Sequence, residues 1–156
     1  MMSRLLGFLR PPPQQHAELG PLQYRSGRWR GTIALEKEAR IPLFIPGSRA
    51  GPDPEGLKVA GLASEWWTQA RPEVEHELYD HYSAGRDDPI DATLELREPG
   101  EVWAHASPSS VEIKPFRLLD EIQVAIRVAW DEEHTLGAMI RDARLVGLNG
   151  SILEPR

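Results

Sequence analysis

The amino-acid sequence predicts an α+β fold, an antiparallel or mixed sheet with a helix pair packed on one face. Alternating apolar and polar runs flank a central segment, residues 54–85, whose apolar residues recur every three or four positions. Strands, then helices, then more strands favour helices gathered on one side of a sheet. At 156 residues the chain suits one domain able to bury about two thirds of its unfolded surface.

Residues 1–22 read as a flexible, basic, Pro-rich leader, and residues 23–156 as a single α+β domain. The apolar patch LLGFL is shorter than the core of a signal peptide, and PPPQQ at 11–15 favours extended polyproline geometry. In RWRGTIAL, Trp29, Gly31, Ile33 and Leu35 share one side, the pattern of a half-buried strand. Glu36 to Arg40 then turn the chain. Ile41, Leu43 and Ile45 share a face of the next run. Pro42 and Pro46, an even number of residues apart, withdraw their amides from the same lateral side, which predicts an edge strand.

Asp53 is placed to cap a helix that Pro54 opens. Val59, Leu62, Ala63, Trp66 and Ala70 form its apolar stripe, and the Arg71-Pro72 step predicts a break. A second helix from Pro72 would place Glu73, Glu75 and Glu77 near the positive end of its dipole, bury Val74, Leu78 and Tyr82, and close at Gly85. Beyond it, IDATLELR at 90–97 alternates as a strand. Pro99 to His105 forms a short helical turn presenting Val102 and Trp103, and VEIKP forms a short strand. Ile122, Val124, Ile126, Val128 and Trp130 share one face of the clearest strand in the chain. TLGAMI, the turn RDAR and LVGLNG then read as a hairpin. There is no internal repeat.

Composition narrows the chemistry. Cysteine is absent, which excludes thiol catalysis and Cys-based zinc or iron–sulfur sites. No apolar run approaches the roughly 20 residues of a membrane-spanning helix, and a cytoplasmic location is expected. The net charge of −6 opposes a nucleic-acid partner for the body of the chain. The charge is uneven, however. Residues 1–30 hold Arg4, Arg10, Arg25, Arg28 and Arg30 against Glu18 alone. No phosphate-binding loop, GxGxxG or GxSxG motif is present, and no cofactor is expected.

The segment WDEEHT concentrates three acids and a histidine between two strands. A two-residue loop of Glu132 and Glu133 would set Asp131 opposite His134, where a carboxylate accepts from the imidazole and fixes its tautomer. The residues read first as a polar turn that pins the hairpin and second as a binding edge, with an acid/base pair as the competing reading. A metal site is harder to complete, because catalytic centres generally need three protein ligands and this segment offers one nitrogen donor. In EVEHELYDHYS, His76 and His81 are five residues apart. On a helix their directions differ by about 140°, so they cannot share an ion as an HExxH pair does. Trp67 lies about 100° from the buried Trp66 direction and is a candidate anchor for a partner.

WDEEHTLG, with the apolar strand before it and Leu145, Val146 and Gly147 after it, resembles a signature of small bacterial domains of unknown function, strand, WDxEHxxG, strand. Trp130, Asp131, Glu133, His134 and Gly137 carry the match, which covers about residues 100–150. The resemblance implies an α+β domain without an established activity, some such domains being associated with toxin-immunity loci. It supplies no catalytic residue. The leading expectation is therefore a non-enzymatic protein-binding module, an immunity-type inhibitor of a toxin being its specific form, with Trp67, Asp131, Glu132, Glu133 and His134 as candidate binding residues and a basic protein as partner. The competing expectation is a metal-dependent hydrolase using Asp131, Glu133 and His134, which requires another histidine brought to His134 in space.

Overall fold

The computed structural model describes residues 10–37, 39–85, 94–116 and 119–156. Two antiparallel meanders make up its main sheet. The first comprises β1 (Gln14–His16), β2 (Gly20–Arg25), β3 (Arg28–Glu36) and β4 (Ala39–Ile45); the second comprises β7 (Ala106–Phe116), β8 (Leu119–Val128), β9 (Asp131–Arg141) and β10 (Arg144–Asn149). Between them lie a short β5 (Gly47–Ser48) and β6 (Gly51–Pro52) pair, the helix α1 (Pro54–Ala84) and a 3-10 turn at Pro99–Ala104. The eight strands run in the order β1-β2-β3-β4-β7-β8-β9-β10. Every neighbouring pair is antiparallel except β4 and β7, which are parallel. A parallel pair needs a crossover connection, and α1 lies within it. The sheet is therefore mixed.

Three expectations change. The leader does not extend to residue 22, because β1 and β2 pair within 14–25 and Leu19 and Leu22 are buried in the core. The strand carrying Pro42 is internal rather than an edge. Its parallel ladder to β7 consists of Leu43 with Val111 and Phe44 with Glu112, the stretch between Pro42 and Pro46. The prolines shorten that ladder without abolishing it.

The third change is the helix pair, which is one helix of 31 residues with Pro72 inside it. Val59, Ala63, Trp66, Trp67, Ala70, Val74, Leu78 and Tyr82 are buried along a single stripe, which passes the proline without a change of phase. Pro72 and Thr68 are both exposed, so the carbonyl deprived of its amide partner faces water. Burial of Val74, Leu78 and Tyr82, at about 1.5–3 kcal/mol for each large apolar side chain, outweighs the roughly 3 kcal/mol that an interior proline costs. The helix starts as the sequence predicts, with the Asp53 carboxylate accepting from the Gly56 amide at 2.9 Å and Pro54 in the first turn. Gly85 follows its last residue.

Of the expected strand at 90–97, residues 90–93 lie outside the described residues, and 94–97 form no strand. They are held to the helix instead, the Tyr82 hydroxyl donating to Leu94 O and accepting from Leu96 N. The turn at 99–104 forms, with Val102 fully buried. The short strand expected at VEIKP is an 11-residue β7 that takes in the Ser/Pro segment, bulging between Pro108 and Ser110. The last hairpin turns at Asp142 and Ala143, both with positive φ, as a tight two-residue connection requires.

Helix and core occupy one face of the sheet, against Trp29, Ile33, Leu43, Ile45, Val111, Ile122, Val124, Ile126, Leu136, Ala138 and Ile140. Among the described residues the other face carries no helix, and its apolar atoms are covered by long side chains and by residues 150–156. The Arg30 guanidinium lies 5.3 Å from the Phe44 ring centre, and Lys114 Nζ donates to the buried Gln123 side chain. Ile152 N donates to Thr135 O. Gly137 leaves room for this strap, since a Cβ there would stand 2.7 Å from Ile152 Cγ2.

Glu154 pins the strap by accepting from Ser109, Ser110 and Arg127. Burial disfavours the charged carboxylate, but these bonds outweigh it and hold Glu154 below the usual carboxylate range. A depressed folded value contributes stability above the unfolded value, about 4.3 for glutamate, and loses it as pH falls through the folded one. Glu154→Gln should therefore lower stability by about 1 kcal/mol at neutral pH. In paired urea titrations the difference from the parent chain should shrink to nothing well below pH 4.

Candidate functional site

The β8–β9 connection positions the acid-rich motif. β8 ends at Val128, Ala129 and Trp130 form the turn, and Val128 pairs with Asp131. The loop has two residues as expected, but it lies three residues earlier than a Glu132-Glu133 loop. Ala129 N donates to His105 O at 2.8 Å, tying the turn to the end of the 3-10 segment.

Regular pairing would place Asp131 and His134 on opposite faces of β9. The ladder instead steps from Val128–Asp131 to Ile126–Leu136, so residues 132–135 stand against Arg127 alone. This bulge turns the His134 ring back onto Asp131, with Nδ1 2.8 Å from Oδ1 and 3.1 Å from Oδ2. A carboxylate only accepts, so the shared proton is on Nδ1 and Nε2 is free. The His134 side chain is 48% exposed and that of Asp131 23%. Glu132 and Glu133 are exposed beside them.

The second histidine comes from α1. The Trp130 indole N–H donates to His81 Nδ1 at 3.0 Å. Tryptophan has no acceptor there, so Nδ1 must carry a lone pair and the His81 proton sits on Nε2. That nitrogen lies 3.9 Å from Asp131 Oδ2. Asp131 thus stands between two imidazoles, one hydrogen-bonded and one at ion-pair distance. Trp130 is wedged edge-on against Tyr82, ring centres 5.6 Å apart, which fixes the turn on the helix. Among the described residues no three His, Asp or Glu side chains gather at metal-binding spacing.

The other candidates separate. Trp67 is fully buried rather than exposed, its N–H donating to Glu36 and its ring edge-on to Trp103 at 5.8 Å. The 3.6-residue period could not rank Trp66 and Trp67, which both face the sheet. His76 donates from Nδ1 to Pro72 O at 2.9 Å. His16, which had no expected role, accepts from the amides of Glu18 and Leu19 and so caps the β1–β2 turn.

Among the described residues, α1 is flanked by a groove and a smaller cleft. A groove of about 550 Å³ runs between Pro72, Glu73, His76 and Glu77 and the edge strand at Arg144–Gly147. Glu73 crosses it, pairing with Arg144 and accepting from Leu145 N. A smaller cleft of about 250 Å³ is bounded by Leu35, Ile41, Trp103 and Pro108. There Arg71 stacks on Trp103 and pairs with Glu36 at 2.8 Å, so its charged wall is internally neutral. Neither hollow includes Asp131 or His134.

His81 is the neighbour that sequence spacing missed, because its contact is long-range. His81→Ala should destabilise the fold by about 1–2 kcal/mol, leaving a part-buried indole N–H without its acceptor. His134→Ala removes an exposed pair and should cost less than about 1 kcal/mol. Urea denaturation of the two variants tests the ranking, and a larger loss for His134→Ala would contradict this geometry.

Comparison with known proteins yields one family. A domain of unknown function, DUF6985, matches residues 18–151. No curated protein and no solved structure matches the chain. With most of its length matched, from β2's approach through β10, the chain belongs to the DUF6985 family of domains of unknown function.

Proposed function

We propose that this domain is a non-enzymatic protein-binding module that presents an acidic corner to a basic surface on a partner protein. The observation that carries the reading is the docking of the WDEEH turn onto α1. Trp130 and His81 hold Asp131 in place, while Glu132 and Glu133 project into solvent from the bulge. Glu77 and Asp80, also exposed, lie within the preceding helical turn. Carboxylates gathered on rigid elements accelerate encounter with a basic partner and select it by charge. An immunity-type inhibitor, covering the basic active site of a toxin, is the specific form of this function that we favour; the resemblance of the motif supports it.

The hydrolase reading has less support. His134 Nε2 is free to act as a base beside Asp131, but the pair lies at an exposed turn outside both hollows.

The test is a capture experiment comparing the parent chain with a Glu132→Lys/Glu133→Lys variant. The parent chain should retain a basic partner whose binding weakens steeply with salt, and the variant should lose it by tenfold or more, about 1.4 kcal/mol, with an unchanged melting temperature. Equal capture by both proteins would refute the acidic corner as the binding surface.

A further inference from the structure

The face of the sheet opposite α1 carries a charge arrangement opposite in sign to the acidic corner. Ser26 and Gly27, both with positive φ, make the tight turn that sets Arg25 directly opposite Arg28. Cross-strand partners share a face, and like charges placed there repel. Arg30 lies two residues further along β3, on the same face as Arg28 and opposite Gln23.

These three arginines are poorly compensated. Glu112 approaches Arg28 at 3.5 Å, and among the described residues no carboxylate pairs with Arg25 or Arg30. Arg30 Nε is buried without a hydrogen-bond partner. Burial, then the positive charges of Arg25 and Arg28, hold the Arg30 guanidinium below the usual arginine range. Elsewhere on this face Arg141 pairs with Glu121, although its Nε is also buried without a partner, and Arg127 pairs with Glu154. Arg40 donates to Thr32. A repelling pair retained at a tight turn, beside a third arginine with an unused donor, is a local violation of folding rules of the kind found at binding sites.

We propose that the outer face of the β2–β3 hairpin binds a short acidic segment of a protein partner through Arg25, Arg28 and Arg30. Guanidinium groups pair bidentately with carboxylates, and the strip is open and lies outside both hollows, which suits an extended segment better than a small enclosed anion. Phe44 is covered by Arg30 and is only 5% exposed, so it offers bases no stacking platform. The net charge of −6 repels a long polyanion, whereas a short segment meets the positive strip alone.

The test measures binding of a short fluorescein-labelled polyglutamate peptide at low salt, with inorganic phosphate and a single-stranded oligonucleotide as competing probes. The parent chain should bind the peptide saturably and in preference to both. Arg25→Glu should weaken binding about tenfold or more, Arg25→Lys only a few-fold, and Lys58→Glu, an equal charge change on the exposed side of α1, should leave it unchanged. Because Arg25→Glu replaces a repelling pair with an attracting one, it should also raise the melting temperature by about 1–3 °C. No saturable peptide binding, equal losses from Arg25→Glu and Lys58→Glu, tighter binding of phosphate or oligonucleotide, or a lower melting temperature for Arg25→Glu would each overturn the proposal.

Discussion

The apolar stripe of α1, from Val59 to Tyr82, is the contact on which the inner face of the sheet depends. A helix of 31 residues spans about 46 Å at 1.5 Å per residue, while eight strands about 4.8 Å apart extend roughly 34 Å between the edge strands. One uninterrupted helix can therefore reach strands of both meanders. Broken at Pro72, it would lose the phase that keeps Ala70 and Val74 on the same side. Placing the proline on the solvent side confines its effect to one exposed carbonyl and leaves the buried stripe intact.

With the helix layer spent on one face, the other face solves its burial problem differently. Phe44, Ser110, Gln123 and Ala125 are all nearly inaccessible there, although among the described residues no second layer of secondary structure covers them. Arginine and lysine stems lie over apolar atoms while their charged ends remain in water, and the strap at residues 150–156 closes the region around Gly137. This arrangement also explains the alternation of long charged residues along β3, β7 and β8, which a sequence pattern registers simply as an exposed face.

Much of the fold was legible because local rules governed it. Strand alternation in residues 29–35 and 122–128, the Asp53-Pro54 helix start and the Asp142-Ala143 turn all depend on near neighbours. Elsewhere tertiary contacts override local preference. Pro72 breaks a helix only if nothing holds both sides of it, and Pro42 marks an edge only if the adjoining ladder needs its amide. In the motif, a bulge in β9 rather than a two-residue Glu132-Glu133 loop brings Asp131 and His134 together. His81 lies 49 residues from Trp130, and no spacing rule connects them. Trp67 stands one helical step from Trp66, and tertiary packing buries both, which a single-stripe periodicity does not register.

The seam between β4 and β7 has a mechanical consequence. Each meander is stitched by hairpins between consecutive strands, whereas among the described residues the two meanders share two ladder positions, Leu43–Val111 and Phe44–Glu112. Cooperative behaviour across that seam is therefore transmitted chiefly by side chains packed under α1. The helix acts as a splint, and loosening it would let the two halves breathe independently while each kept its own backbone pairing.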